Sequence, residues 1–187
     1  MSDIAILKEM IKKDAMVPLK ERQEGKRLKY SVTLTEPQYN YSVIIDGMPK
    51  EDEVIIINVD SFVVPRQVFN GEKGECKRAD FVIITNADTE KIILCIEMKK
   101  QKDLEKNIIQ QLKGAQCFVA YCKEIGKAFW PKHNFLDDYQ YLFVSIGHIS
   151  ISKTQTRFEK KSKIHDHPDR MLKIKYPNGL EFERLIR

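Results

Sequence analysis

Residues 75–100 read ECKRADFVIITNADTEKIILCIEMKK. It contains two runs of mainly β-branched and aliphatic residues, Phe81–Thr85 and Ile92–Ile96. The six residues between the runs are polar turn formers apart from one alanine. Such a pattern predicts a β-hairpin, around which the rest of the chain is expected to be organised.

Charged side chains stand at one end of this predicted hairpin. Asp80 precedes the first strand, whereas Glu97 and Lys99 end the second. Because strand side chains alternate between faces, Glu97 and Lys99 point the same way. In an antiparallel pair, Asp80 lies beside both of them. Two carboxylates and an ammonium are costly at the end of an apolar hairpin, and they suggest a metal site.

After the hairpin the hydrophobic period changes from two to 3.6, which predicts one long helix over residues 103–123 with Asp103 as its N-cap. Six residues form its apolar stripe: Leu104, Ile108, Ala115, Phe118, Val119 and Cys122. Gln111 lies near the middle of that stripe on a helical wheel. Burying an amide without a partner costs about 1–3 kcal/mol, so Gln111 is expected to face a polar group.

The same two periods predict the other elements. They are a helix at 3–14, a charged solvated helix or loop at 17–29, strands at 30–35, 41–46, 54–59 and 139–151, and a final hairpin of 171–176 with 180–186. The aliphatic run 54–59 is expected to be a central strand, and Asp46-Gly47 is expected to be a turn. This order predicts an α/β (α+β) fold with a mixed central sheet flanked by helices.

A chain of 187 residues predicts a single domain, 1–187, with an N-terminal helix and strands (1–74), a core motif region (75–150), and a basic loop and C-terminal hairpin (152–187). Its 42% hydrophobic and 32% charged residues are typical of a soluble globular protein. We expect no membrane partner, since no apolar stretch is long enough to span a bilayer. Four cysteines without a CxxC pair, and an N-terminus unlike a signal peptide, favour a reducing, cytoplasmic setting.

The segments Lys77-Arg78-Ala79-Asp80 and Ile96-Glu97-Met98-Lys99, followed by a helix with Gln111, resemble the PD-(D/E)XK, or restriction-endonuclease-like, nuclease superfamily. That family has an Asp at the start of one core strand, Glu-x-Lys on the next, then a long helix and a further strand. The resemblance covers about residues 75–150, with Ala79 in place of the proline that gives the motif its name.

The resemblance implies a restriction-endonuclease-like core and hydrolysis of phosphodiester bonds. It implies that Asp80, Glu97 and the backbone carbonyl of Met98 bind Mg²⁺ or Mn²⁺. Lys99 would orient or deprotonate the attacking water, or stabilise charge in the transition state. Gln111 would hold the water or the scissile phosphate.

Nucleic acid is the expected partner, DNA more than RNA by family frequency, and Lys77 and Arg78 are placed to contact its phosphates. A homodimer is expected if both strands are cut. Many family members add a Glu from the N-terminal helical region, and Glu21 or Glu24 are the candidates here, since Glu9 points away from its helix's apolar face.

Other interpretations stay open at this point. One keeps the fold without the chemistry, as a catalytically inactive module that binds nucleic acid or a protein partner. The basic residues 153–163 either follow a nucleic-acid backbone or form a solvated loop. The cluster of His165, Asp166, His167 and Asp169 is more typical of a solvated loop than of a metal site. His148 is expected to be a core histidine.

Overall fold

The structure is a computed structural model that describes residues 1–25, 27–63, 66–87, 90–101, 103–147, 157–158, 164–175, 177 and 179–187. The helices in these ranges are α1 (Asp3–Met10), α2 (Glu105–Phe129) and α3 (Phe182–Ile186). The strands there are β1 (Lys20–Glu24), β2 (Arg27–Glu36), β3 (Tyr41–Met48), β4 (Val54–Asn58), β5 (Phe81–Ala87), β6 (Glu90–Lys99), β7 (Gln140–Gly147), β8 (Arg157–Phe158), β9 (Leu172–Lys175) and β10 (Leu180–Glu181).

The strands form two mixed sheets. The larger has the order β4-β5-β6-β7-β9-β8, in which β4, β5 and β6 are antiparallel neighbours and β7 runs parallel to both β6 and β9. The smaller has the order β1-β2-β3-β10, with β10 parallel to β3. The predicted mixed α+β class is therefore confirmed.

Both faces of the larger sheet are buried, which explains its nearly continuous hydrophobic strands. On one face, residues such as Val82 and Ile93 pack with α1 and α2. On the other face, residues such as Ile83 and Leu94 pack against the smaller sheet and α3. The layers are therefore helices, large sheet and small sheet. By the alternation of side chains along β5 and β6, Asp80, Glu97 and Lys99 lie on the same face of the sheet as the residues that pack against the helices.

Several sequence predictions are confirmed. β5 and β6 form the predicted hairpin, with Phe81 opposite Ile96. The predicted strands at 30–35 and 41–46 correspond to β2 and β3, and the helix at 3–14 corresponds to the shorter α1, which Ser2 caps through its hydroxyl.

The long helix differs from its prediction at both ends. It begins at Glu105 with Leu104 as its N-cap residue and continues to Phe129. Asp103 instead accepts hydrogen bonds from the Leu104 amide and the Asn107 side chain. Gly126 lies within the helix, and only glycine fits there because the ring of Phe135 occupies the space where a side chain would stand.

Other predictions are wrong. The charged segment at 17–29 contains β1, a fully exposed strand paired with β2, because charged side chains suit an exposed sheet edge. The run at 54–59 forms an edge strand, although Met16 bridges to Ile57 beside it. Gly47 lies within β3 at φ +69°, so Asp46-Gly47 is no turn between strands.

The predicted C-terminal hairpin is also absent. β9 joins the larger sheet, whereas β10 crosses to the smaller one and leads into α3. His165 is buried, with its Nε2 atom 2.8 Å from the Leu185 carbonyl oxygen, and His167 pairs with Asp169. His148 and most of the basic stretch 153–163 lie outside the described residues. No helix in the described ranges has the length and apolarity that crossing a membrane requires.

Candidate metal centre

The hairpin register brings Asp80 beside Glu97. Phe81 pairs with Ile96, so the preceding and following residues face each other across the two strands. The Met98 amide donates a hydrogen bond of 2.5 Å to Asp80 Oδ2, which fixes that carboxylate on the strand end. Asp80 is 7% exposed and Glu97 is fully buried.

Two further carboxylates, which sequence reasoning missed, lie at this position. Oxygen atoms of Glu36, Asp60 and Asp80 all lie within 4.8 Å of one another. Glu36 ends β2 in the smaller sheet, and Asp60 follows β4 in the larger one. The Val59 amide donates to the Asp80 carbonyl oxygen over 2.9 Å, which holds the segment with Asp60 against the start of β5. We call Glu36, Asp60, Asp80 and Glu97 the acidic cluster.

The acids that sequence reasoning named for the N-terminal position are elsewhere. Glu24 pairs with Lys29 on the exposed β1-β2 ribbon, where Glu21 also lies. Glu9 accepts a hydrogen bond of 3.0 Å from the Trp130 indole. One sequence feature could have identified Glu36 and Asp60 as candidates. Like Asp80, each is an acidic residue at or next to the end of a strand.

Lys99 lies between two acids. Its ammonium is 2.6 Å from Glu97 Oε1 and 4.0 Å from Asp103 Oδ2. The second Glu97 oxygen, Oε2, is buried and has no hydrogen-bond donor among the described residues. A buried carboxylate oxygen without a donor is costly, and such an oxygen is a natural ligand for a cation.

Crowding of acids away from water raises the pKa of three acids in the cluster, Asp80, Glu97 and Glu36. Burial, and then the charge of Glu97, raise the pKa of Asp80 to about 9. Burial also raises the pKa of Glu97 to about 7, against the opposing effect of Lys99. For Glu36, burial and then Asp60 raise the pKa. Burial would lower the pKa of Lys99, but Glu97 and then Asp80 outweigh this effect and raise it.

An open cavity of about 340 Å³ lies over the acidic cluster. One wall is formed by Asp60, Arg66 and residues 76–78, and the other by Lys99, Asp103, Asn107 and Gln111. Asp60 and Lys99 connect the cavity to the more deeply buried Asp80 and Glu97. Gln111 is half-buried and faces this cavity, while Leu112 occupies the fully buried stripe of α2.

The wall before β5 is fixed to α2. Lys77 Nζ donates to Asn107 Oδ1 and Gln110 Oε1 over 2.9 and 2.7 Å. Its backbone carbonyl approaches Gly114 so closely that no Cβ could fit there. Arg78 instead lies 3.3 Å from Asp60 and donates to its backbone carbonyl. Of the two predicted phosphate contacts, Arg78 is thus paired with a carboxylate, whereas Lys77 is held by neutral amides.

The residues of the cluster fit a hard divalent cation. Glu36, Asp60 and Asp80 offer three carboxylate oxygens within 4.8 Å of one another, and the neighbouring Glu97 has an oxygen without a donor among the described residues. Carboxylate oxygens are the ligands that Mg²⁺ and Mn²⁺ prefer. No family model, curated protein or solved structure matches this chain. The function of the centre is therefore inferred from its own geometry.

Proposed function

We propose that the chain is a metal-dependent nuclease with a restriction-endonuclease-like core that hydrolyses phosphodiester bonds, of DNA more than of RNA. The observation that supports this proposal is the acidic cluster beside Lys99, next to a cavity that Asp60 and Lys99 line together with the cations Arg66, Lys77 and Arg78. Carboxylates that hold a divalent cation next to an ammonium are suited to a phosphodiester, whose charge grows as it is attacked.

The order of elements also supports the proposal. β5 follows Asp80, β6 ends with Glu97 and Lys99, α2 presents Gln111 to the cavity, and β7 runs parallel to β6. This is the order of parts that the sequence motif implies for the PD-(D/E)XK superfamily. Asp80, Glu97 and Lys99 lie at strand ends of one sheet, which holds these three groups rigidly.

Asp80 would hold Mg²⁺ or Mn²⁺ together with Glu36 and Asp60, whose oxygens lie within 4.8 Å of it and of each other, and Glu97 and the Met98 carbonyl are the additional ligands that the sequence motif predicts. When bound, the cation supplies charge neutralisation at the phosphate and a hydroxide source near neutral pH. Asp80 and Glu97 bind it only when ionised, and a nearby divalent charge favours their ionised forms. The raised pKa values of the two acids thus predict weaker cation binding at low pH.

Lys99 contributes a positive charge. Because its pKa is raised by Glu97 and Asp80, it stays an ammonium at neutral pH in this arrangement. An ammonium orients water and stabilises developing negative charge rather than removing a proton. Gln111 offers an amide from the opposite wall, where it can hold a water or a phosphate oxygen. Lys77 is placed to contact a neighbouring phosphate.

The test is a cleavage assay with plasmid, linear duplex, single-stranded DNA and RNA in Mg²⁺, Mn²⁺ or EDTA. Wild type should cut in the presence of either cation and not in EDTA. Asp80→Asn, Glu97→Gln and Lys99→Met should each reduce the rate at least 100-fold. Asp138→Asn, at an exposed acid that pairs with Lys91, is the matched control and should cut normally.

Undiminished cleavage by all three cluster variants would contradict the proposal. Cation binding detected by calorimetry in wild type but not in Asp80→Asn, without cleavage of any substrate, would instead favour the inactive binding module.

A further inference from the structure

Exposed apolar side chains lie close in sequence to residues of both cavity walls. Val68 is 74% exposed and Phe69 is 50% exposed, and both follow Arg66 of one wall. Leu104 is 71% exposed and follows Asp103 of the other wall. Solvent-exposed apolar groups that are neighbours on one segment beside a cavity, rather than single residues on the surface, indicate a contact surface. We call Val68 and Phe69 the apolar rim.

The backbone beside Phe69 is held in place by many contacts. Its carbonyl oxygen accepts a weak hydrogen bond from the Cys76 thiol over 3.9 Å. The Glu75 carboxylate accepts 2.8 Å hydrogen bonds from the amides of Gly71 and Lys73, and Gln110 of α2 donates to the Lys73 carbonyl. The ring is therefore presented from a fixed segment, which lowers the entropy cost of binding against it.

Cations next to the rim suit an anionic chain. Lys77 is held by two amide oxygens and forms no ion pair with a described residue, so its positive charge is fixed without being neutralised. Arg66 likewise forms no ion pair within the described part of the chain, and it lines the same cavity. Phe69 is next to this cavity, because its carbonyl oxygen contacts the thiol of Cys76, which lines it.

We propose that Phe69, next to Val68, is a stacking surface for an unpaired nucleobase of the strand whose phosphate enters the cavity. This inference rests on the proposed function and specifies its substrate class as single-stranded or locally unpaired nucleic acid. In a regular duplex both faces of each base are already stacked on neighbours, so the Phe69 ring has no base face to contact. An aromatic ring stacks on any base, so this contact gives strand preference without sequence preference.

The test measures binding in the Asp80→Asn background, which separates binding from cleavage. The probes are a fluorescein-labelled 15-nucleotide DNA strand, its RNA counterpart and the matching duplex, titrated over a range of salt concentrations. Phe69→Ala should weaken single-strand binding about tenfold and leave the slope of log affinity against log salt unchanged. Lys77→Ala should instead reduce that slope by about one.

Two variants serve as controls. Phe69→Trp should retain single-strand binding, since it preserves the aromatic face. Phe129→Ala removes a ring of 79% exposure at the far end of α2 and should have no effect. Equal binding by Phe69→Ala and the Asp80→Asn parent would overturn the stacking inference, and so would an equal loss in Phe129→Ala. If the wild-type protein still cut in Mg²⁺, the proposed function would stand despite that result. Failure of the wild-type protein both to bind and to cut any of these probes would overturn the proposed function itself.

Discussion

Replacement of Asp80 by Asn should stabilise the cation-free protein, and should do so more at pH 8 than at pH 5. The pKa of Asp80 is raised to about 9, chiefly by burial, whereas its ordinary value is 3.8. A carboxyl group with a raised folded pKa holds its proton more tightly in the folded state. Its stabilising effect is complete below about pH 4 and is lost as the pH rises toward 9.

The magnitude follows from these two values. Between pH 5 and pH 8 the unfolded chain has an ionised Asp80, whereas the folded protein retains the proton. Each pH unit in this window therefore costs up to about 1.4 kcal/mol, or about 4 kcal/mol in total. Asn cannot ionise, keeps the shape of the side chain, and still accepts the hydrogen bond from the Met98 amide. The Asp80→Asn variant should therefore keep this part of its free energy of unfolding as the pH rises.

The assay is thermal unfolding in EDTA at pH 5, 6.5 and 8. For a chain of this size, 1 kcal/mol shifts the melting temperature by about 2–4 °C, so the advantage of Asp80→Asn should grow by up to about 8–16 °C between pH 5 and 8. Asp103→Asn is the control: the pKa of Asp103 is lowered, first by its hydrogen bond from Asn107, so its removal should not stabilise at pH 8. A constant or negative effect of Asp80→Asn across this range would show that the folded protein does not hold the Asp80 proton more tightly than the unfolded chain.

Three further outcomes are expected. Addition of Mg²⁺ should raise the melting temperature of wild type more at pH 8 than at pH 6, because fewer protons must leave the cluster, and calorimetry should find no such binding in Asp80→Asn. Lys99→Met removes the partner of buried Glu97 and should lower the free energy of unfolding by about 3 kcal/mol at pH 8 and by less at pH 5, as urea titration would show. Gly114→Ala should cost about 1–3 kcal/mol, because its Cβ would meet the Lys77 carbonyl, whereas Gly147→Ala has its nearest neighbour at 3.8 Å and should be nearly neutral.

Local sequence patterns were sufficient to predict the β5-β6 hairpin and the pair of acids at its end. Asp80 and Glu97 are seventeen positions apart, and the alternation of β5 and β6 fixes their relative placement without knowledge of the rest of the fold. The distant members of the cluster could not be predicted in this way. Glu36 is 44 positions from Asp80, and its approach depends on how the smaller sheet packs on the larger one.

The C-terminal errors have a similar origin. Leu180–Ile186 contains β-formers that suggest a strand, but Phe182 and Leu185 have the spacing of a helical face and are buried in α3. Only the free edge of β3 explains why Leu180 pairs there instead of with β9. Gln111 shows a further limit of prediction from sequence. The helical wheel predicted that this polar residue faces the sheet, but it could not predict the cavity that lies between α2 and the sheet.

In the acidic cluster, Glu36 belongs to the smaller sheet and the other members lie at strand ends of the larger sheet, so the cluster lies at the interface between the two sheets. When these acids ionise without a counterion, their repulsion acts across this interface and favours separation of β2 and β3 from the larger sheet. Amide hydrogen exchange in β2 and β3 should therefore quicken as the pH rises, beyond the intrinsic increase that exposed amides show, and slow again when Mg²⁺ ties the layers together. A cation bound at this site would then stabilise the packing of the two sheets as well as support catalysis.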